Sequence, residues 1–327
     1  MKAIVHDEYG TAEGLELREI EQPKFGDKDV LVKVRSAGVD RGVWHVMTGL
    51  PYPIRLAGFG LRAPKNPVIG ADFAGVVEAV GMDVATVQPG DEIFGVAKGS
   101  YAEYAVALEG KLARKPRKLS FDEAAVVPTS ATTALQALRK GKVETGHKVL
   151  ITGASGGVST AAIQIAKHAG AHVYAVTTAE NMERVRGLGA DVVYDRRETD
   201  YSKEIWRDTD RRGVDLIFDS VGEATWSRNI RAAARAGRIV VYGGTTGPRL
   251  ETDARQLFWK QLEIIGTTMS SRAEFRAVMD LVFADTSARF LDPARIGAFE
   301  QGDGLIQVEP AWALLRQRIT PVERIQR

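Results

Sequence analysis

The sequence contains no cysteine among its 327 residues. A protein without cysteine has no disulfide, no thiolate nucleophile and no metal ion held by cysteine ligands. The absence therefore removes several classes of catalytic and metal site from consideration.

Long apolar runs are also missing. No stretch approaches the roughly 20 apolar residues that a membrane-spanning helix needs. The N-terminal residues 1–8 lack the apolar core of a secretory signal peptide. We therefore expect no membrane partner and a cytoplasmic location.

Charge of one sign is not concentrated anywhere along the chain. The formal net charge is +2, and without a cluster of Lys and Arg we expect a small-molecule substrate rather than nucleic acid. With 44% hydrophobic and 26% charged residues, the composition is that of a globular protein. The length exceeds the about 250–300 residues at which a single core stops growing, which predicts two domains.

The two halves of the chain differ in pattern. Residues 1–120 carry short β-like runs separated by glycine and proline turns, which predicts a mostly β domain. Ser120 and Glu123 then form a capping-box pattern, where we expect a helix to begin. Beyond it, apolar strands alternate with amphipathic helices, and the strands are expected at 148–152, 172–177, 192–194, 214–219, 238–242 and 262–266.

Strands that alternate with helices form a parallel sheet, and six of them predict an α/β, doubly wound dinucleotide-binding fold. In the C-terminal part, residues 305–308 are a candidate strand and residues 310–319 a candidate short helix.

A glycine-rich turn at residues 152–159 joins the first of these strands to a helix. Glycine lets the backbone approach a pyrophosphate, and the helix start offers free N–H groups and a positive dipole end. Ser155, Gly156, Gly157 and Val158 are therefore the expected phosphate contacts. An ATPase-type phosphate loop is not indicated, because no Gly-Lys-Ser/Thr follows.

The end of the next strand bears on the choice of cofactor. NAD-preferring sites often place Asp or Glu there for the ribose 2′-hydroxyl. This chain has Thr177 and Thr178, hydroxyls that can bond a 2′-phosphate, although Glu180 is close in sequence. Positive charge would come from Arg184, Arg196 and Arg197. The pattern favours NADP(H) over NAD(H) and leaves NAD(H) as the alternative.

Three later strand ends have small residues that leave room for a ligand at the carboxyl edge of the sheet. The full set of expected cofactor contacts is Ser155, Gly156, Gly157, Val158, Thr177, Thr178, Arg196, Ser220, Val221, Gly243, Gly244, Thr245, Gly266, Thr267 and Thr268.

The motifs at residues 66–81 and 90–95, together with the glycine-rich turn and Leu-Gly-Ala-Asp at 188–191, resemble the medium-chain dehydrogenase/reductase superfamily. Within it the chain is similar to the zinc-free quinone oxidoreductase branch and to relatives named as NAD(P)-dependent alcohol dehydrogenases. The resemblance covers roughly residues 1–285. It implies a GroES-like β-rich catalytic domain at 1–121 and 288–327, a Rossmann NAD(P)-binding domain at 122–287, and a homodimer.

The ligands of the zinc-bearing branch are absent. That branch would need a Cys near Asp40, a His at Ala71 and a four-cysteine lobe. We therefore expect no metal. Carbonyl activation must then come from hydrogen bonds, which suits transfer of a hydride from NADPH to a quinone, an enone or a 2-alkenal.

The resemblance also suggests catalytic residues. The branch carries an Asn and a Tyr in the segment that matches residues 39–52. Tyr52 fits the Tyr, whereas Asp40 stands where the Asn is expected. Since an ionised carboxylate cannot donate a hydrogen bond to an oxyanion, Arg41 and His45 are the alternative donors, if they face the substrate.

Three features depart from the family pattern. Ser159 replaces the last glycine of the turn, Arg196 stands near the position of a Tyr, and residues 297–327 do not show the usual C-terminal helix and strand.

Two other functions stay open at this point. A short-chain dehydrogenase would need Tyr-x-x-x-Lys downstream of the turn, and no such pattern follows residue 160. A nucleotide-binding sensor or interaction protein on a reductase scaffold would bind NADPH tightly without turnover.

Overall fold

The structure is a computed structural model that describes residues 1–268 and 305–307. The chain divides into two compact units, the first of which runs from Met1 through Thr129, while the second begins at Ser130. Among the described residues, no helix has both the length and the apolar character that crossing a membrane requires.

In its described residues, the first unit is an antiparallel β structure with two α-helices that lie wholly within it. Its strands and helices in this part of the chain are β1 (Lys2–Val5), β2 (Glu16–Glu19), β3 (Asp29–Gly38), α1 (Arg41–Thr48), β4 (Asp72–Val80), β5 (Glu92–Val96), β6 (Tyr104–Leu108), β7 (Leu112–Arg114) and α2 (Phe121–Ala125). β3 pairs with β4 and β6, β4 pairs with β5, and β5 pairs with β7. Val30, Phe73 and Ile93 lie in the apolar core between these strands.

Close packing explains one glycine of the motif at 66–81. A Cβ added at Gly75 on β4 would come within 2.3 Å of the Lys33 carbonyl oxygen on β3. Only a residue without a side chain permits this approach of the two strands.

The second unit is an α/β structure. Its elements are α3 (Pro128–Lys140, which begins in the first unit), β8 (Lys148–Thr152), α4 (Gly157–His168), β9 (His172–Thr177), α5 (Met182–Gly187), β10 (Val192–Asp195), α6 (Tyr201–Asp208), β11 (Val214–Asp219), α7 (Glu223–Ala232), β12 (Ala233–Val241), α8 (Ala254–Lys260) and β13 (Glu263–Gly266).

The six strands form one parallel sheet in the order β10-β9-β8-β11-β12-β13. This is the full doubly wound order, which confirms the predicted fold class. All six predicted strands are present, although β12 begins at Ala233 rather than at 238. Val149, Leu150 and Ile151 of β8 are completely buried, as expected of a central strand covered on both faces.

The capping box is also confirmed. The Ser120 hydroxyl accepts from the Glu123 N–H, and the Glu123 carboxylate accepts from the Ser120 N–H. The helix that begins there, α2, packs against β3 and β4. The first unit therefore continues past residue 121, where we expected it to end.

The predicted strand at 305–308 corresponds to β14 (Leu305–Gln307), which pairs with the end of β3. The predicted helix at 310–319, and the remainder of the domain segment 288–327, lie outside the described residues.

Candidate functional site

The cofactor candidates of the second unit follow neighbouring strands. β8, β11, β12 and β13 are adjacent and parallel, so the segments after them lie at one edge of the sheet. The glycine-rich turn follows β8, and residues 220–221, 243–245 and 266–268 follow the other three. A common edge is where ligands bind in doubly wound sheets.

The turn has the backbone that a pyrophosphate needs. Gly153 has a φ of +60°, and Gly156 is the N-cap of α4. A Cβ on Gly157 would lie 2.9 Å from the Ser130 hydroxyl. The first N–H groups of α4 have no partner within the helix, and the positive end of its dipole points the same way. These residues fit a dinucleotide phosphate.

The loops after β11 and β12 are bonded to each other along their length. The Tyr242 N–H donates to the Asp219 carbonyl at 3.0 Å, and the Thr245 N–H donates to the Ser220 carbonyl at 3.1 Å. The Thr246 N–H donates to the Val221 carbonyl at 3.0 Å. Ser220, Val221, Gly243, Gly244 and Thr245 therefore form one continuous surface beside the turn.

A buried carboxylate holds this surface to β8. Asp219 is fully buried, and its side chain accepts from the Gly222 N–H at 3.0 Å and the Thr225 hydroxyl at 3.0 Å. It also accepts from the hydroxyl of Thr152, the last residue of β8. The end of β8 and the loop after β11 therefore cannot move independently.

Ser159, the departure from the glycine pattern, makes hydrogen bonds that a glycine cannot. Its hydroxyl lies 3.3 Å from the Thr152 carbonyl, to which it donates, and 2.7 Å from the hydroxyl of Tyr242. Burial raises the pKa of Tyr242 to about 12, although its hydrogen bonds with Ser159 and Ser220 oppose the rise. Sequence reasoning missed Tyr242, because its partner lies 83 positions away.

At the end of β9 the structure separates the two threonines. Thr177 is 3% exposed, with a buried hydroxyl that has no partner among the described residues. Thr178 is only partly buried and accepts from the Asn181 amide at 3.0 Å. Of the two predicted hydroxyls, therefore, only that of Thr178 is placed near the surface.

Charges of both signs surround Thr178. The Glu180 carboxylate is exposed, and hydrogen bonds from its own N–H and from Thr178, together with Arg197 and Arg196, lower its pKa. Arg196 is exposed, and its N–H donates to the Thr177 carbonyl at 2.8 Å. Asp195, which pairs with Thr177 in the sheet, is a second carboxylate at this edge, so two arginines and two carboxylates lie at this strand end.

In the first unit, three of the catalytic candidates lie on or beside α1. Asp40 is its N-cap, and one carboxylate oxygen, Oδ1, accepts from the N–H groups of Gly42 and Val43 at 2.5 and 3.2 Å. The guanidinium of Arg41 stacks on the Trp44 ring, 4.3 Å from its centroid. One turn further, the Nδ1 atom of His45 lies 2.7 Å from the Leu50 carbonyl oxygen.

The His45 contact occupies one of its two ring nitrogens. A carbonyl only accepts, so Nδ1 carries a proton that it donates to Leu50. Nε2 is the ring nitrogen that is left for any contact with a substrate.

Tyr52 is held from one side. Its side chain is 69% exposed, and the Arg55 guanidinium lies 4.9 Å from its ring centroid. Arg55 also stacks on Tyr9 at 4.3 Å and donates to the Gly49 carbonyl at 3.0 Å. The Tyr52 ring therefore rests on a fixed cation.

A second buried acid, which sequence reasoning did not single out, lies near Asp40. Asp72, the first residue of β4, is 2% exposed and accepts from the Thr129 N–H at 2.9 Å and the Thr129 hydroxyl at 2.5 Å. Burial raises the pKa of Asp72 well above its usual range, and Asp40 adds to the rise. Burial likewise raises the pKa of Asp40.

Metal ligands are not grouped in the part of the chain that the structure describes. No set of three or more His, Asp or Glu side chains there could hold a metal ion.

Two protein families match the chain. Residues 26–117 match the alcohol dehydrogenase GroES-like domain, and residues 157–284 match the family described as zinc-binding dehydrogenase. The two matches fall in the first and second units respectively over the described residues.

Individual relatives span most of the chain. Human quinone oxidoreductase is 33% identical over 90% of the chain and 88% of its own length. The 2-methylene-furan-3-one reductase of Solanum lycopersicum is 32% identical over 76% of the chain and 63% of its own length. A crystal structure of an NAD-dependent alcohol dehydrogenase is 34% identical, with a TM-score of 0.77 over 86% of the chain and 89% of that protein.

The Ser159–Tyr242 hydrogen bond is testable by a double-mutant cycle. We expect Ser159→Ala and Tyr242→Phe each to destabilise the protein, and the two losses to be coupled by about 1 kcal/mol because they remove one shared bond. Urea unfolding of the four proteins measures the coupling. The control pairs Ser159→Ala with Tyr201→Phe, which removes a separate bond to Asn229. Additive losses in the first cycle would contradict the prediction.

Proposed function

Because the chain belongs to the quinone oxidoreductase-like branch of the medium-chain dehydrogenase/reductase superfamily, we propose that it reduces quinones, enones or 2-alkenals. Members of this branch are NAD(P)H-dependent oxidoreductases. We propose NADPH as the reductant and a reaction that does not use zinc. The observation that carries the proposal is the edge of the sheet in the second unit, whose loops and glycine-rich turn fit a dinucleotide. The first unit, taken by itself, has hydrogen-bonding side chains and, among its described residues, no group of metal ligands. The quinone and furanone reductases among its relatives support these substrate classes.

The main task of the protein in this reaction is to position the cofactor and the substrate. NADPH, when bound, supplies the hydride, which adds to the β-carbon of the conjugated carbonyl compound. Negative charge then develops on the carbonyl oxygen, where hydrogen-bond donors stabilise it. The proton that completes the reduction comes from water or from a side chain. Tyr52 is the exposed phenol that we assign to this delivery.

The proposal of zinc independence rests on the residues of this chain, although one matching family is described as zinc-binding dehydrogenase. The chain has no cysteine, and Ala71 stands where the zinc-bearing branch has a histidine. Asp40 lies near the position at which that branch has a cysteine ligand. Polarisation of the substrate carbonyl by hydrogen bonds is the chemistry that these residues support.

The activity is tested with purified protein, NADPH and a panel of 1,2-naphthoquinone, an enone and a 2-alkenal. We expect the absorbance of the reduced nicotinamide to fall with at least one of them, and the rate to survive a metal chelator. Elemental analysis should find substoichiometric zinc. Loss of activity on chelation, restored by zinc, would contradict the metal-free chemistry. Tight NADPH binding without turnover across the panel would indicate the non-catalytic sensor instead.

For the cofactor, we propose a preference for NADPH, because β9 ends in Thr177 and Thr178 where NAD-preferring sites often have an acid, and Arg196 and Arg197 lie close by. Replacing Arg196 by Glu should raise the KM for NADPH about tenfold or more, the loss expected of one charge-assisted bond, and change that for NADH little. Steady-state kinetics with both cofactors measures this. Arg35→Glu, on an exposed site of β3, is the control for net charge. Equal effects on the KM values of both cofactors would show that Arg196 does not contact the 2′-phosphate.

We further propose a homodimer formed at β13. This strand is at the edge of the described sheet, and Phe258, Trp259 and Ile264 beside it are 61%, 77% and 43% exposed. An unpaired strand edge with exposed apolar side chains favours self-association. Trp259→Asp should shift the sedimentation coefficient from dimer to monomer. Trp206→Asp, at a 50% exposed tryptophan of α6, should not, and the same shift in both would contradict this interface.

A further inference from the structure

The hydroxyl of Tyr242 joins two segments of the second unit that carry cofactor candidates. It lies 2.7 Å from the hydroxyl of Ser159, which is in the first turn of α4. It also bonds the hydroxyl of Ser220, in the loop after β11. One side chain, at the end of a third element, therefore connects the helix that follows the glycine-rich turn to the neighbouring loop.

The ring of Tyr242 is fixed by β11 rather than by either segment that its hydroxyl bonds. Its centroid lies 4.2 Å from that of the Phe218 ring, with 36° between the two planes. The Tyr242 N–H donates to the Asp219 carbonyl at 3.0 Å, which fixes its backbone to the same strand. The phenol oxygen is therefore a fixed point to which the two serines are bonded.

The protons of these hydroxyls give the chain of bonds a single direction. The Ser159 hydroxyl donates to the Thr152 carbonyl at 3.3 Å, and this uses its one proton. The Tyr242 hydroxyl is therefore the donor to Ser159, and the Ser220 hydroxyl is the donor to Tyr242. Without the phenol oxygen, Ser159 would lose a donor and Ser220 would lose an acceptor.

Ser159 belongs to the part of α4 that faces a ligand. Gly157, Val158 and Ser159 are the first residues of the helix. Their N–H groups precede its first bond, which the Thr160 N–H donates to the Gly156 carbonyl at 2.9 Å. Such N–H groups bind anions at a helix start. Because the side chain of Ser159 is bonded back to the end of β8, its hydrogen bonds help to set the direction of these N–H groups.

The turn and the loop after β11 are packed against each other. A Cβ added at Gly153 would lie 3.0 Å from the Ser220 hydroxyl and 3.4 Å from a methyl carbon of Val221. There is no spare space between the two segments at this point. A shift of Ser220 or of the first turn of α4 therefore changes the spacing between the groups that are expected to contact the cofactor.

We propose that Tyr242 is a positioning residue for the cofactor, whose hydroxyl holds the first turn of α4 and the loop after β11 at the spacing that the pyrophosphate of the dinucleotide requires. The inference rests on the nicotinamide cofactor proposed above. Tyr242 acts through Ser159 and Ser220, without a contact of its own with the cofactor. Its loss should weaken NADPH and NADH by the same factor, because the pyrophosphate is common to both.

The test measures cofactor binding without turnover. Titration of Tyr242→Phe with NADPH and with NADH, followed by the fluorescence of the reduced nicotinamide, should give Kd values about fivefold higher than those of the wild type, the loss expected of one hydrogen bond. Ser159→Ala should have the same effect, and it carries the test if Tyr242→Phe does not fold. The double variant should lose no more affinity than either single variant, because both remove the same chain of bonds.

Tyr201→Phe is the matched control. It removes another phenol of the same unit, one that bonds Asn229 at 2.8 Å. Urea unfolding of the cofactor-free proteins should show a loss of stability in both tyrosine variants, whereas only Tyr242→Phe should lose affinity. Unchanged Kd values in Tyr242→Phe, or equal losses of affinity in the two variants, would overturn the inference. Additive losses in the double variant would overturn it as well.

The same titrations separate this inference from the proposed function. A wild-type protein that binds neither cofactor would overturn both. Binding of NADPH without turnover of the substrate panel, with the loss of affinity in Tyr242→Phe, would support the positioning role and count against the proposed reduction.

Discussion

The cofactor side of the molecule depends on the carboxylate of Asp219. It accepts from a hydroxyl at the end of β8, from a hydroxyl of α7 and from the Gly222 N–H of the loop between β11 and α7. Without it the Gly222 N–H would lose its acceptor, at about 1–3 kcal/mol. The Thr152 and Thr225 hydroxyls would keep only their bonds to the carbonyls of Phe218 and Gly222. The glycine-rich turn starts where Thr152 ends β8. Its position relative to the neighbouring loop is therefore set by a bond between side chains as well as by the sheet.

The substitution of serine for the last glycine of the turn extends this network. A hydroxyl at position 159 bonds Tyr242, which also bonds Ser220. A chain of hydrogen bonds thus runs from the Thr152 carbonyl through Ser159 and Tyr242 to the loop after β11. Glycine at 159 would allow a closer approach of helix and strand, whereas serine replaces that packing with specific bonds. The turn tolerates the change because its partner tyrosine is present.

Sequence patterns predicted what depends on local residues. Six strands, the capping box at Ser120 and the helix after Gly156 follow from periodicity and neighbouring residues, and the structure contains them. The contacts of Asp72 with Thr129 and of Ser159 with Tyr242 join distant parts of the chain, which no local pattern reveals. The same limit applies to Thr177, whose predicted contact with the cofactor conflicts with the burial of its hydroxyl. His45 was expected to donate to the substrate, and the structure adds a contact of its Nδ1 atom with the Leu50 carbonyl that the sequence pattern did not show.

The four candidate side chains of the first unit differ in how freely they can donate a hydrogen bond. One oxygen of Asp40 caps α1, and its other oxygen is buried. The guanidinium of Arg41 lies over Trp44, and stacking on a ring leaves the N–H groups of a guanidinium able to donate. Tyr52 is exposed and can exchange its proton with water. A group that delivers a proton benefits from contact with solvent, because it can be reprotonated there, whereas a group that stabilises an oxyanion must keep its hydrogen-bond donors. On this argument Tyr52 suits the proton delivery that we propose, and Arg41 is the candidate that keeps donors and a positive charge for the oxyanion.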